Sequence, residues 1–302
     1  MAMTDMTDVL RNTFATVYSC LIHNMQYHPV TIKCRGRQMA YEITNAQLQF
    51  TVKHGISVYS NVETRAFPIK FAVAELLWIL AGRNDVESIA KWNKAIVNYS
   101  DDMSTMSGAY GHRLSDQIMS CIVKLVNDIY SRQACAVIWR PDDIVVNSKD
   151  HPCNVFLQFL VRDNRLHLTV TARSIDFITG LPIDAFHWQA LLVLVCNSLR
   201  LTYVGLRYGI VTYNIGSLHV YEQDADTLRS FGSSESSNYE IWLDSTYSHI
   251  RANAQSKFAG CETLMNLCEV LELDIISHQT VDKLDDIFKN RKHKFQRGGT
   301  TA

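Results

Sequence analysis

The sequence predicts an α+β fold, a mixed β-sheet covered by helices, and three observations carry that expectation. Two apolar runs, Val155 to Val161 and Leu166 to Ala172, flank the polar RDNR and have the composition of paired strands. Two other stretches, residues 115–131 and 184–200, place apolar side chains at helical spacing. Further strand-like runs at Leu201 to Val204 and Tyr208 to Tyr213 follow the second of these. Strands and helices mixed in this way suit helices packed on a substantial sheet.

Each element has its own warrant. In the first helix, Ser115 stands as N-cap before Ile118, Ile122, Leu125, Val126 and Ile129, so one face packs inward. Asp163 and Asn164 occupy the turn of the hairpin, a position that tolerates a left-handed backbone in these residue types. The second helix, DAFHWQALLVLVCNSLR, is apolar enough to be central, with Asp184 at its N-cap. No repeat or Pro/Gly-rich linker divides the chain, so residues 1–302 are read as a single domain whose basic end, about 290–302, is frayed.

Composition narrows the function classes. A chain of 302 residues with 47% hydrophobic and 20% charged content has ample material for a core. A formal net charge of -1 provides no general field for nucleic acid or an anionic membrane, so neither is the expected partner. The opening MAMTDMTDVLRNTF lacks the basic flank and apolar centre of a secretory signal, and a cytoplasmic location is expected. Eight cysteines show no CxxC pair and no histidine clustering at metal spacing, so reduced thiols and no metal are expected.

Among those thiols Cys153 stands out. It follows a proline in HPCNVFLQF at the mouth of a predicted strand, where proline stiffens the local backbone. Twenty residues on, TARSIDFITGLPIDAF gathers Arg173, Ser174, Asp176, Gly180, Pro182 and Asp184. An arginine and a serine there suit a phosphate and favour a thiolate; the alternative is an Arg–Asp pair that merely stitches a loop. Glu75 is anomalous by itself, because AELLWILAG is otherwise an apolar helix and burial raises a carboxyl's pKa toward a catalytic range.

These motifs, HPCNVFLQF, TARSIDFITGLPID and GSLHVYEQD, resemble three of the thymidylate synthase family in order and spacing, and AELLWILAG, SGAYGHRL and DIYSRQACAVIW resemble three more. The match runs from about Arg35 to Asp224. The resemblance implies the family's fold, with one sheet face used for homodimerisation. It makes Cys153 the nucleophile that attacks C6 of a pyrimidine nucleotide, and Glu75 the general acid/base. Arg173, Ser174 and Arg35 resemble phosphate ligands, and Arg132 resembles an arginine donated across the dimer to the partner's phosphate. The family commonly has a second arginine next to it; here that position is Gln133, with Arg37 a possible substitute. His219 and Tyr221 resemble the pair that binds the sugar 3'-hydroxyl, Tyr110 a tyrosine near the nucleophile, and Asp176, Gly180 and Tyr99 residues near the folate.

The departures from the synthase pattern set the expected substrate. Where the synthase reads uracil with an asparagine two residues after the proline of GLP, this chain has Asp184. A carboxyl can accept from the exocyclic amine of cytosine and, if protonated, donate to N3. Asn154 replaces the histidine that usually follows the nucleophile near C4, and GGTTA lacks an apolar closing tail. Together these resemble the phage deoxycytidylate hydroxymethylases: 5,10-methylenetetrahydrofolate donates a one-carbon unit to C5 of dCMP, water adds, and 5-hydroxymethyl-dCMP and tetrahydrofolate leave. The location would then be the host cytoplasm. Alternatives are CMP hydroxymethylation, dUMP hydroxymethylation or thymidylate synthesis, and a silent nucleotide-binding protein on the same fold, which retention of Cys153 and Glu75 disfavours.

Overall fold

The computed structural model describes residues 33–34, 37–52, 56–60, 67–230, 237–243 and 250–252. In chain order the elements are strands β1 (Lys33–Cys34), β2 (Arg37–Thr51) and β3 (Ile56–Ser60), then helices α1 (Ile69–Leu80), α2 (Val86–Ala90) and α3 (Tyr110–Asn127). Strands β4 (Cys135–Val137), β5 (Asn154–Arg162) and β6 (Arg165–Asp176) follow, then helix α4 (Gly180–Arg200) and strand β7 (Arg207–Tyr221). The short helix α5 (Ala225–Ser230) and strands β8 (Ser237–Leu243) and β9 (Ile250–Ala252) complete the set.

Six strands form one sheet in the order β1-β2-β7-β6-β5-β4, and β3-β8-β9 form a second. The β6–β7 pair is parallel and the other neighbours are antiparallel. A parallel neighbour requires a crossover, and α4 is that crossover. The expected α+β mixture is therefore present. The β5–β6 hairpin turns at Asp163 and Asn164, with φ of 50° and 55°. Two successive positive φ angles match the twist of a tight hairpin, and Asp and Asn tolerate them.

Alternation along β5 and β6 puts Leu157, Phe159, Val161, Leu166, Leu168, Val170 and Ala172 on the core face, all buried. Against that face lies α4, fourteen of whose 21 residues are buried, including Phe186, Trp188, Leu192 and Cys196. A helix apolar on nearly every side can only sit centrally. Each fully buried Leu, Val or Phe there contributes roughly 1.5–3 kcal/mol of transfer free energy.

Three expected boundaries are corrected. The helix placed at 115–131 spans Tyr110–Asn127, with Ala109 and not Ser115 as its N-cap. Its early start is a tertiary effect. A Cβ on Gly111 would lie 2.0 Å from the carbonyl oxygen of Ile79, so glycine lets α3 pack backbone to backbone on α1. The helix placed at 184–200 begins at Gly180, with Thr179 and not Asp184 as its N-cap, and Asp176 shapes the turn that leads into it. Its Oδ1 accepts from the backbone N–H of Ile178 at 2.9 Å and Thr179 at 3.4 Å. Leu201–Val204 is a turn and no strand. Tyr203 donates its hydroxyl to the carbonyl of Val126 at 2.8 Å, and Gly205 at φ +86° sends the chain back into β7.

Arg35 and the tail at 290–302 lie outside the described residues. Arg37 opens β2, but its side chain is likewise outside the description.

Candidate active site

Cys153 sits immediately before β5, half-buried, in a loop anchored on both sides. Upstream, Asp150 accepts from the N–H of Gly108 at 2.6 Å, and a Cβ on Gly108 would come within 2.5 Å of the Asp150 carbonyl. Downstream, the Arg173 N–H donates to the Cys153 carbonyl at 2.9 Å. The Arg173 guanidinium donates to the carbonyls of Pro152 at 2.9 Å and His151 at 3.1 Å, and Nη2 lies 3.8 Å from Sγ of Cys153. It also sits 5.7 Å from the ring centre of Trp139, which stacks on His151. The positive charge is thus fixed beside the sulfur, where it stabilises negative charge on it. The guanidinium does stitch the loop, through the loop's carbonyls and not through an aspartate, and it reaches the thiol as well.

Arg113 holds this corner together. Nearly fully buried, it donates to the carbonyls of Ser107 at 2.8 Å and Ile138 at 2.9 Å and grips Asp143 with both terminal nitrogens. One side chain therefore joins the loop before α3, the end of β4 and the turn at 141–144. The Asp143 carboxyl is held below its usual range, first by the hydrogen bond from Arg113.

A second group of residues converges on Asp184. Asn154, fully buried, donates Nδ2 to Oδ2 of Asp184 at 2.9 Å. Tyr213, fully buried on β7, brings its hydroxyl to Asn154 Oδ1 and also within 2.9 Å of Asp184 Oδ2. Burial pushes the Asp184 carboxyl up to about 6, against the donation from Asn154. Glu75 on α1 is pushed up to about 8, first by burial and then by Asp184. Tyr110, the first residue of α3, stacks on Trp188 at 5.8 Å, and burial followed by the nearby Asp184 raises its hydroxyl well above the ordinary value. Two carboxyls in one pocket with raised pKa values form a site able to hold and exchange protons near neutral pH.

His187 lies one helical turn beyond Asp184 and places Nε2 3.8 Å from Glu75 Oε2. The same nitrogen is 2.9 Å from the carbonyl of Ala72, which can only accept, so Nε2 carries the hydrogen. Burial pushes His187 down to about 4, leaving it neutral. The contact with Glu75 is accordingly a polar neighbour and no ion pair at neutral pH.

The other expected site residues fall at three places. Ser174 and His219 meet across β6 and β7, with Oγ and Nδ1 3.4 Å apart, and His219 packs edge-on against Tyr221 at 4.9 Å. Asp176 and Gly180 form the turn into α4, with the Asp176 carboxyl engaged by Thr179 and Ile178. Tyr99 ends a short 3-10 helix (Lys94–Tyr99) with 38% of its surface exposed. Arg132 is exposed, its carbonyl pinned by Gln158 at 3.0 Å, and the neighbouring Gln133 accepts from Lys124 at 3.3 Å. Sequence reasoning missed Tyr213 and His187. Each reads as one more core residue in an apolar run, and only the fold brings them to Asp184 and Glu75.

Among the described residues no group of His, Cys, Asp and Glu is arranged to hold a metal ion, and no helix is long and apolar enough to cross a membrane. A cysteine buttressed by a guanidinium, next in the chain to an asparagine bonded to one of two carboxyls with raised pKa values, on a helix-covered mixed sheet, defines the class of site. The thymidylate synthase family model matches residues 16–258, and the chain belongs to that family. It is 35% identical over 212 residues to the deoxyuridylate hydroxymethyltransferase of Bacillus phage SP01, covering 63% of this chain and 52% of that protein. It is 37% identical over 161 residues to the deoxyuridylate hydroxymethyltransferase of Pseudomonas phage M6, covering 51% and 44%. Thymidylate synthase from Bacillus subtilis subsp. natto is 31% identical over 179 residues, covering 55% and 62%. The chain thus spans about half the length of the phage relatives it matches. Thermostable thymidylate synthase A from Bacillus subtilis shares the fold, with a TM-score of 0.63 at 24% identity over 77% of this chain and 89% of that one.

Proposed function

We propose that the protein is a hydroxymethyltransferase acting at C5 of dCMP, and the observation that carries this reading is the half-buried carboxyl of Asp184, raised in pKa, near Glu75 and bonded to Asn154, the residue after Cys153. The methylene carbon would come from 5,10-methylenetetrahydrofolate. The exposed ring of Tyr99 and the turn at Asp176 and Gly180 suit a flat pterin; a Cβ at Gly180 would meet its neighbours only at ordinary contact distance, 3.9 Å.

In this reading Sγ of Cys153 bonds to C6 of the pyrimidine, assisted by the guanidinium at 3.8 Å. C5 then becomes the nucleophilic carbon that takes the one-carbon unit. Glu75, poised at about 8, can give and take a proton near neutral pH, and it activates the water that completes the hydroxymethyl group. Arg173 and Ser174, with Arg35 and the partner subunit's copy of Arg132, bind the phosphate of the nucleotide. His219 and Tyr221 bind the sugar, and Tyr110 lines the pocket beside the nucleophile. The outer sheet face forms a homodimer that brings the second arginine in. The chain acts as one domain in the cytoplasm of a phage's host.

Asp184 selects the base because its half-buried carboxyl accepts from the cytosine amine, whereas the C4 carbonyl of uracil puts two acceptors face to face. The names of the phage relatives support a second reading in which the same residues hydroxymethylate dUMP. One experiment separates them. Tritium release from C5 of dCMP, CMP and dUMP is measured side by side with Cys153→Ala as the blank, and the products are identified. dCMP is expected to release tritium and give 5-hydroxymethyl-dCMP, and Asp184→Asn is expected to shift the preference toward dUMP. Release from dUMP alone, or formation of dihydrofolate, overturns the dCMP reading.

A further inference from the structure

The triangle of Asn154, Tyr213 and Asp184 contains three polar contacts, and its hydrogens can be counted. Asn154 Nδ2 meets Asp184 Oδ2, Asn154 Oδ1 meets the Tyr213 hydroxyl, and that hydroxyl meets Asp184 Oδ2. The amide nitrogen supplies the first contact. The single hydroxyl hydrogen of Tyr213 can lie in the second contact or the third but not in both, and with it in the second, Asp184 faces a bare oxygen. That leaves an oxygen–oxygen contact of 2.9 Å between Tyr213 and Asp184 with no hydrogen in it if Asp184 is ionised. Turning the amide round does not help. The amide nitrogen then serves Tyr213, the hydroxyl serves Asp184, and the contact between Asn154 Oδ1 and Asp184 Oδ2 has none. Either way the triangle needs one more hydrogen than a carboxylate brings, and two unshared oxygens in a buried site repel.

We infer that Tyr213 is a positioning residue that holds Asp184 as a neutral acid with its proton on Oδ2, turned away from the base. Oδ2 then donates to the Tyr213 oxygen while accepting from Asn154, and Oδ1 remains as a carbonyl-like acceptor. A hydroxyl donating to Asp184 would favour the ionised form, but Asn154 has claimed that hydrogen. Desolvation raises the Asp184 carboxyl first and hydrogen bonds donated by Asn154 and, where its hydrogen turns that way, by Tyr213 act against it, while an ionised Asp184 disfavours charge on Glu75 on α1, Tyr110 on α3 and Tyr213 on β7. A neutral Asp184 therefore also leaves Glu75 free to cycle its proton without a charged neighbour.

This inference rests on the proposed role of Asp184 at the pyrimidine edge, and it presents to that edge an acceptor only, which fits the cytosine amine. With Tyr213 gone, the acid proton is free to turn toward the base. A neutral carboxyl can then pair with either base, accepting from the cytosine amine and donating to its N3, or donating to the C4 carbonyl of uracil and accepting from its N3–H, so discrimination between them falls.

The test is a titration of the full chain with 13C-carboxyl aspartate, its Asp184 signal assigned with Asp184→Asn. Asp184 is expected to be about half protonated at pH 6, where an ordinary aspartate is almost wholly ionised. Tyr213→Phe is expected to lower the midpoint by about one pH unit and to reduce the preference for dCMP over dUMP about tenfold. If Tyr213→Phe fails to fold, Tyr213→Met carries the same test, because it too removes the oxygen that accepts from Asp184. A native midpoint near that of ordinary aspartate overturns the inference, as does a raised midpoint that neither substitution moves. A raised midpoint that moves in the variants, in an enzyme that takes no dCMP, upholds the inference and sinks the substrate reading.

Discussion

Replacing Glu75 with glutamine should make the protein more stable at alkaline pH while abolishing its proposed activity. The carboxyl is raised from 4.5 to about 8 chiefly by burial, with 24% of its side chain still open. The sign follows from which state holds the proton. Below about 4.5 the carboxyl is protonated folded or unfolded and costs nothing. Between that value and about 8 the folded state keeps a proton that the unfolded chain has lost, so stability falls as pH rises. Asp184, raised to about 6, is present in both proteins, so its own titration cancels in the comparison and Glu75 is the carboxyl that distinguishes them between pH 6 and 8. At about 1.4 kcal/mol per pH unit, that interval corresponds to roughly 3 kcal/mol. Urea unfolding of the native protein and Glu75→Gln at half-unit steps across the interval measures it. The difference between the two curves should widen by about that amount, since histidines common to both proteins cancel. Parallel curves would show that Glu75 is ionised in the folded protein and refute its role as a proton-exchanging group.

Two other substitutions probe how the site is held. Gly111→Ala forces a Cβ to within 2.0 Å of the Ile79 carbonyl, and backbone cannot swing aside, so α3 must back away from α1 and Glu75. A loss of about 1–3 kcal/mol is expected, seen as a lower thermal midpoint, together with a reduced rate of tritium release. Arg113→Leu leaves Asp143 without its guanidinium in a corner where the two side chains are only 3% and 12% exposed. About 3 kcal/mol should be lost, and Asp143→Asn added to it should recover part of that loss in a double-mutant cycle.

Much of the fold was legible because its signals are local. The period-2 pattern of β5 and β6, the Asp163–Asn164 turn and the uniformly apolar α4 each follow from a few neighbouring residues. The boundaries that shifted are those set by contacts distant in sequence. Ser115 has the right chemistry for an N-cap, yet Gly111 against Ile79 lets α3 begin earlier. Leu201–Val204 has strand-like residues, but Tyr203 on Val126 and Gly205 at positive φ make it a turn.

For the candidate site the division is similar. Cys153, Arg173, Glu75 and Asp184 stood out because each is chemically out of place in its own segment: a thiol after proline, charges between a strand and a helix, a carboxyl in an apolar helix. Sequence determined the identity of these groups, along with the α+β class. Tertiary structure alone decided that Arg173 reaches Sγ, that Glu75 and Asp184 share a pocket, and that Tyr213, 29 residues from Asp184, closes the hydrogen-bonded triangle. The physical reason is that protonation depends on desolvation and on neighbours within a few ångströms, and both are properties of how strands and helices pack, which no local stretch of sequence contains.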